Sequence, residues 1–102
     1  DLAQMKTDAL FVNTSRAELV ESGALVSALN TGRPGFAALD VYEQEPATPE
    51  NETLLSMENV LCSPHLGYVE QNSYELYFRI AFENVNAFFA GQPENIANPE
   101  VL

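Results

Sequence analysis

The chain has 102 residues, fifteen acidic side chains against four basic ones, and a formal net charge of −11. That length fits one domain or part of one, and 46% hydrophobic content is enough to bury a core. The charge argues against direct binding to nucleic acid or to an anionic membrane surface, and one Cys with one His excludes an internal disulfide and the usual zinc ligand sets.

In chain order, Ala9-Leu10-Phe11-Val12 is a short apolar run that reads as a strand buried on both faces. Residues 17–30 read as a helix, because Val20, Ala24, Leu25, Ala28 and Leu29 recur at helical spacing. Thr14 or Ser15 is the expected cap of its start and Gly32 of its end. The turn Gly32-Arg33-Pro34-Gly35 leads to a second apolar run, Phe36 to Tyr42. The acidic stretch from Glu43 to Thr53 reads as a surface loop, with Leu54, Leu55 and Met57 anchoring its far end. Val60-Leu61-Cys62-Ser63 is a third short strand, stopped by Pro64.

A long helix follows over about 70–90. Tyr74, Tyr77, Phe78, Phe82, Val85, Phe88 and Phe89 lie on one broad face, and Gly91 and Pro93 stop it. Residues 92–102 are Pro- and Asn-rich and read as an irregular tail. Short apolar strands joined by a helix imply parallel pairing, so the expected fold class is α/β, part of a parallel sheet with about three strands here. Such a sheet has an unpaired edge, whose expected cover is either N-terminal sequence or a second copy of the chain. A start at Asp1 rather than Met reads as a processed or truncated product.

Ligands of open α/β sheets bind beyond the carboxyl ends of the strands. There the first strand ends in Asn13-Thr14-Ser15-Arg16, the second in Asp40 with Glu45-Pro46 after it, and the third in Ser63-Pro64-His65-Leu66-Gly67. The only His, two acids and one of four basic residues thus gather at one rim. Arg16 at a helix start opposes the helix dipole, which favours a site residue over a plain surface Arg. For His65 and Asp40 a functional and a structural reading stand side by side. Glu45 shares an acidic loop with Glu43, Glu50 and Glu52, and by itself reads as solvated surface. Calcium binding by that loop lacks the EF-hand spacing, Cys62 reads as a buried strand residue, and the sequons at Asn13 and Asn51 have no secretion signal beside them.

Taken together, four stretches resemble the D-isomer-specific 2-hydroxyacid dehydrogenases, in the C-terminal part of their NAD-binding domain, and look most like the phosphoglycerate dehydrogenase-like members. They are Met5 to Arg16, Gly23 to Leu29, Ala38 to Pro46, and Asn59 to Gly67. The resemblance implies a partial Rossmann-like, doubly wound parallel sheet, with residues 1–91 as the C-terminal portion of an NAD-binding domain and 92–102 returning toward a substrate domain. It implies that Arg16 holds the carboxylate of a 2-hydroxy or 2-keto acid, that His65 is the general acid/base, and that Glu45 pairs with His65, with Glu43 as runner-up. Thr14, Ser15, Arg16, Asp40, His65 and Gly67 would line the cofactor, NAD or NADP.

The Gly-rich pyrophosphate fingerprint of the family is absent from these residues. The 102 residues alone are therefore expected to lack dehydrogenase activity and tight NAD binding, and to self-associate, as a homodimer or otherwise, through apolar surface along the final helix and first strand. No apolar run approaches the ~20 residues of a membrane span. No basic-then-apolar leader pattern is visible, and the expected setting is cytoplasmic. The alternative from another class is a corepressor-type binding protein that uses the same fold to sense NAD.

Overall fold

The computed structural model describes residues 1–101. They form two compact units, Asp1–Gly67 and a second beginning at Tyr68. In the first, three strands, β1 (Leu10–Asn13), β2 (Phe36–Leu39) and β3 (Val60–Cys62), form a parallel sheet in the order β1-β2-β3. Helix α1 (Ala24–Asn30) carries the chain from β1 to β2, and a loop ending in a 3-10 turn (Thr53–Ser56) carries it from β2 to β3. The fold is α/β, as the pattern of short apolar runs predicts.

Side chains alternate across each strand. Ala37 and Leu39 of β2 face the core with Leu25 and Leu29 of α1 and with Tyr42; Phe11, Val60 and Cys62 pack against that cluster. Leu54, Leu55 and Met57 pack there too, anchoring the acidic loop. The opposite face is apolar yet exposed: Leu10, Val12, Phe36 and Leu61 are all more than half accessible. Register explains the grouping, since Leu10 lies opposite Phe36, and Val12 and Leu61 both lie opposite Ala38.

The predicted helix over 17–30 is broken. Ala17–Leu19 is a single 3-10 turn, Val20 is extended, and Gly23 sits at φ 72. A left-handed residue cannot continue a right-handed helix, so α1 starts only at Ala24. The expected Thr14 or Ser15 cap does not form: the residue before the 3-10 turn is Arg16, with no side-chain capping bond. Gly32, at φ 76, does close α1, its amide donating to the Leu29 carbonyl and that of Arg33 to Ala28. The second and third strands stop at Leu39 and Cys62, shorter than the apolar runs that announce them.

In the second unit, α2 (Gln71–Phe89) begins at Glu70, whose carboxylate accepts from the Asn72 and Ser73 amides at 3.0 and 2.7 Å. It ends at Ala90, followed by Gly91 at φ 74. No residue of α2 is buried, and Tyr77, Phe78, Phe82, Phe88 and Phe89 stand exposed. Tyr68, Tyr74 and Phe78 form a ladder of rings with centroids 6.3 and 6.0 Å apart. No helix among the described residues is long and apolar enough to cross a membrane.

Candidate functional site

The carboxyl ends of the three strands carry the candidate residues. At the end of β1, the buried Asn13 shapes the turn after it. Its Oδ1 accepts from the Ser15 amide at 3.1 Å, and its Nδ2 donates to the Arg16 carbonyl at 2.9 Å. Thr14, Ser15 and Arg16 are thereby held at the rim and exposed. Arg16 folds back, Nη1 donating to the Ser15 carbonyl at 2.7 Å. Because only a three-residue turn follows it, the helix-dipole argument for Arg16 falls away; its relevance rests on its neighbours.

Asp40 follows β2 directly and is tied to β1 through its amide, which donates to the Asn13 carbonyl at 3.0 Å. Its side chain is 4% exposed. The carboxylate accepts from Ser63 Oγ at 2.5 Å, the Leu66 amide at 2.8 Å and the Gly67 amide at 2.6 Å. The Ser63 bond above all, with these amides, holds the Asp40 carboxyl below its ordinary pKa.

Beyond β3, His65 meets the loop after β2. Its Nδ1 lies 2.7 Å from Glu45 Oε2 and 3.0 Å from Oε1. Oε1 also accepts from the Tyr42 amide at 3.1 Å. These bonds, that to His65 first, lower the pKa of Glu45, and the charge of Arg16 acts in the same sense. Glu43, two residues away, turns elsewhere and accepts from Ser22 Oγ at 2.9 Å. Gly67 lies against both other strand ends: a Cβ there would stand 3.0 Å from Asp40 Oδ2 and 3.7 Å from the Thr14 carbonyl oxygen.

Arg16, Asp40, Glu45, His65 and Gly67 therefore share one rim of one sheet. Tyr42 and Ser63 belong to the same network, although sequence reasoning passes over both. The Tyr42 hydroxyl donates to the Ser63 carbonyl at 2.9 Å, and the Ser63 hydroxyl reaches Asp40. The only signal for them was position at a strand end. His65 and Glu45 also line a cavity of about 270 Å³ with Pro46, Ala47, Leu55 and Pro64. A larger cavity of about 430 Å³ lies between residues 17–26 and the acidic loop, and none of Arg16, Asp40, Glu45 or His65 lines it. Among the described residues no group of His, Cys, Asp and Glu could hold a metal ion.

A three-stranded parallel sheet with a cation, an imidazole–carboxylate pair and a glycine at its carboxyl rim is part of an α/β domain of the nucleotide-binding kind. The profile of the D-isomer specific 2-hydroxyacid dehydrogenase NAD-binding domain matches residues 1–67, and the chain belongs to that family. It is 41% identical over 103 residues to the glyoxylate reductase of Aeropyrum pernix, a match that covers all of this chain and 30% of that protein. It is similar to the crystal structure of a phosphoglycerate oxidoreductase from Vibrio cholerae, with TM-score 0.78 and 67% identity over 85% of this chain and 28% of that one. An NADPH-dependent glyoxylate/hydroxypyruvate reductase from Sinorhizobium meliloti, solved with NADP and malonate, matches with TM-score 0.70 and 33% identity, over 86% of this chain and 27% of that one. The chain thus spans about 30% of the length of the curated relatives it matches.

Proposed function

We propose that this chain is the proton-transfer half of the site of an NAD- or NADP-dependent dehydrogenase that interconverts a small D-2-hydroxy acid and its 2-keto acid. The observation that carries the reading is the 2.7 Å contact of His65 with Glu45 at the rim where Arg16 and Asp40 also lie. The nicotinamide, when bound, supplies the hydride acceptor or donor. The rim fits such a group in one respect: the Asp40 carboxylate, with three of its roughly four acceptor positions in use, retains one for a ligand amide. Thr14, Ser15, Arg16, Asp40, His65 and Gly67 are the residues that would line it, within a domain portion spanning 1–91.

The chemistry follows from the side chains. The planar guanidinium of Arg16 binds the substrate carboxylate through paired hydrogen bonds. Glu45 accepts from His65 Nδ1, which keeps the proton on that nitrogen and leaves exchange with the substrate hydroxyl to Nε2. In oxidation the hydroxyl proton passes to Nε2 as the C–H electron pair leaves as hydride and the carbonyl forms; in reduction the same atom returns the proton. Glu45, its pKa held below the ordinary value by His65 and the Tyr42 amide, stabilises the imidazolium formed at that moment.

The test is a pair of substitutions in an intact enzyme that carries this segment. Glu45→Gln removes the carboxylate from His65 and is expected to lower kcat and to move the pH–rate profile toward lower pH, because the imidazolium loses its counter-charge. Glu43→Gln, which touches only Ser22, is expected to leave the profile in place. A profile that moves with Glu43 and not with Glu45 overturns the assignment. For the chain by itself we propose self-association, which the exposed apolar sheet face supports.

A further inference from the structure

His65 occupies φ 54, the left-handed region that a residue with a Cβ adopts only at a cost. Something must hold it there, and the donors on either side of it converge on one carboxylate. Ser63 Oγ and the Leu66 amide donate to Asp40 Oδ1, and the Gly67 amide donates to Oδ2. Asp40 is itself rigid: it is buried, and its amide is bonded to β1. The Tyr42 hydroxyl adds a fourth fastening through the Ser63 carbonyl.

We infer that Asp40 is a positioning residue: its carboxylate grips the Ser63 hydroxyl and the Leu66 and Gly67 amides, and so holds the His65 turn in the backbone conformation that delivers the imidazole to Glu45. This rests on the dehydrogenase reading only for its effect on turnover; the grip itself is independent of it. An ionised carboxylate is required for geometric reasons. With Asn at position 40 the single carbonyl oxygen can serve Ser63 and Leu66, but the amide nitrogen then faces the Gly67 N–H, donor against donor. Gly67 is part of the same device, because a Cβ there would crowd Asp40 Oδ2 at 3.0 Å.

Two measurements test it. The first is nitrogen-15 NMR of the 102-residue chain. Asp40→Asn is expected to move the Leu66 and Gly67 amide resonances upfield and to remove the dependence of the His65 ring resonances on Glu45, read by comparison with Asp40→Asn/Glu45→Gln. Ser63→Ala, which deletes one donor and leaves two, keeps the chain folded and gives a smaller shift in the same direction. Unmoved Leu66 and Gly67 amides in both variants overturn the inference, whatever the enzyme does.

The second is steady-state kinetics of an intact enzyme carrying the segment. A misplaced proton-transfer group costs about 10- to 100-fold. That loss is expected in kcat for Asp40→Asn at saturating cofactor, with the KM for the keto acid little changed, and a smaller loss for Ser63→Ala. A kcat restored by excess cofactor would show that Asp40 acts only by holding the cofactor, and overturns the positioning role. Failure of the dehydrogenase reading itself shows differently: the parent enzyme would be inactive on 2-keto acids while the amide shifts persist.

Discussion

Gly35 has a role set by space rather than torsion. It precedes β2 where the chain presses on the segment before β1, and a Cβ there would lie 1.9 Å from the Thr7 carbonyl oxygen. The obstructing atom is backbone, so relief requires the two segments to part, and with them the Asn59 Nδ2 bond to the Gly35 carbonyl at 2.9 Å. Gly35→Ala is expected to destabilise the chain by about 1–3 kcal/mol, the usual cost of overpacking. Gly23 is the contrasting case: a methyl added there would meet nothing within 4 Å, but φ is 72. Gly23→Ala is expected to cost only about 1 kcal/mol, through the left-handed backbone. Urea unfolding of both variants against the parent checks the order; equal losses would mean that the Thr7 contact relaxes freely. At this scale the sequence shows which residues are unusual but not what they touch. His65, Arg16 and Asp40 stand out as polar residues that interrupt or end apolar runs. Glu45 and Glu43 are indistinguishable by composition, and only the turn after β2 aims one at His65 and the other at Ser22. Ser63 and Tyr42 were illegible because their partners lie 23 and 21 residues away.

Among the elements, the strands and α2 were legible because their signals are local. Apolar runs ended by Asn, Asp or Pro mark the strands, and a helical stripe ended by Gly91 marks α2. The broken helix was not. Val20 and Leu25 both pack toward the core but from separate pieces of chain, so an apolar pattern that reads as helical survives an interruption that only Gly23 hints at. The start of α2 supplies a pH-dependent prediction. The bonds from the Asn72 and Ser73 amides lower the Glu70 pKa from its ordinary value. A depressed carboxylate pKa means stabilisation that is present in full above the ordinary value and lost as pH falls through the depressed one. The helical circular dichroism signal is therefore expected to hold from neutral pH down to the ordinary glutamate pKa and to decline only below it. Glu70→Ala is expected to start from lower helicity at pH 7 and to show a flatter acid decline. An unchanged decline in that variant would assign the acid sensitivity to Asp40 and Glu45 instead.

For the whole molecule, the decisive feature lies in the first unit, where the sheet is covered by that unit's own elements on one face only. Parallel sheets are stable with both faces covered, yet here Leu61 is 72% exposed, and Leu10, Val12 and Phe36 extend the same apolar surface. The sheet also leaves an edge of β1 without a strand partner among the described residues. Two forces then compete when copies meet. Apolar burial favours association at roughly 25 cal/mol per Å², while a net charge of −11 on each copy opposes it. Only the second force is screened by salt, over a Debye length of about 10 Å at 0.1 M and about 3 Å at 1 M. Association of the isolated chain is therefore expected to strengthen as salt is raised, the reverse of an assembly held by ion pairs. Sedimentation velocity across a salt series measures this directly. Leu61→Lys places a charge on the bare face, on the edge strand β3, and is expected to weaken the association; Phe82→Lys tests the exposed surface of α2 in the same way. If the parent chain stays monomeric at high salt, the apolar sheet face does not drive contact between copies; if Phe82→Lys abolishes association and Leu61→Lys does not, the driving surface is the helix.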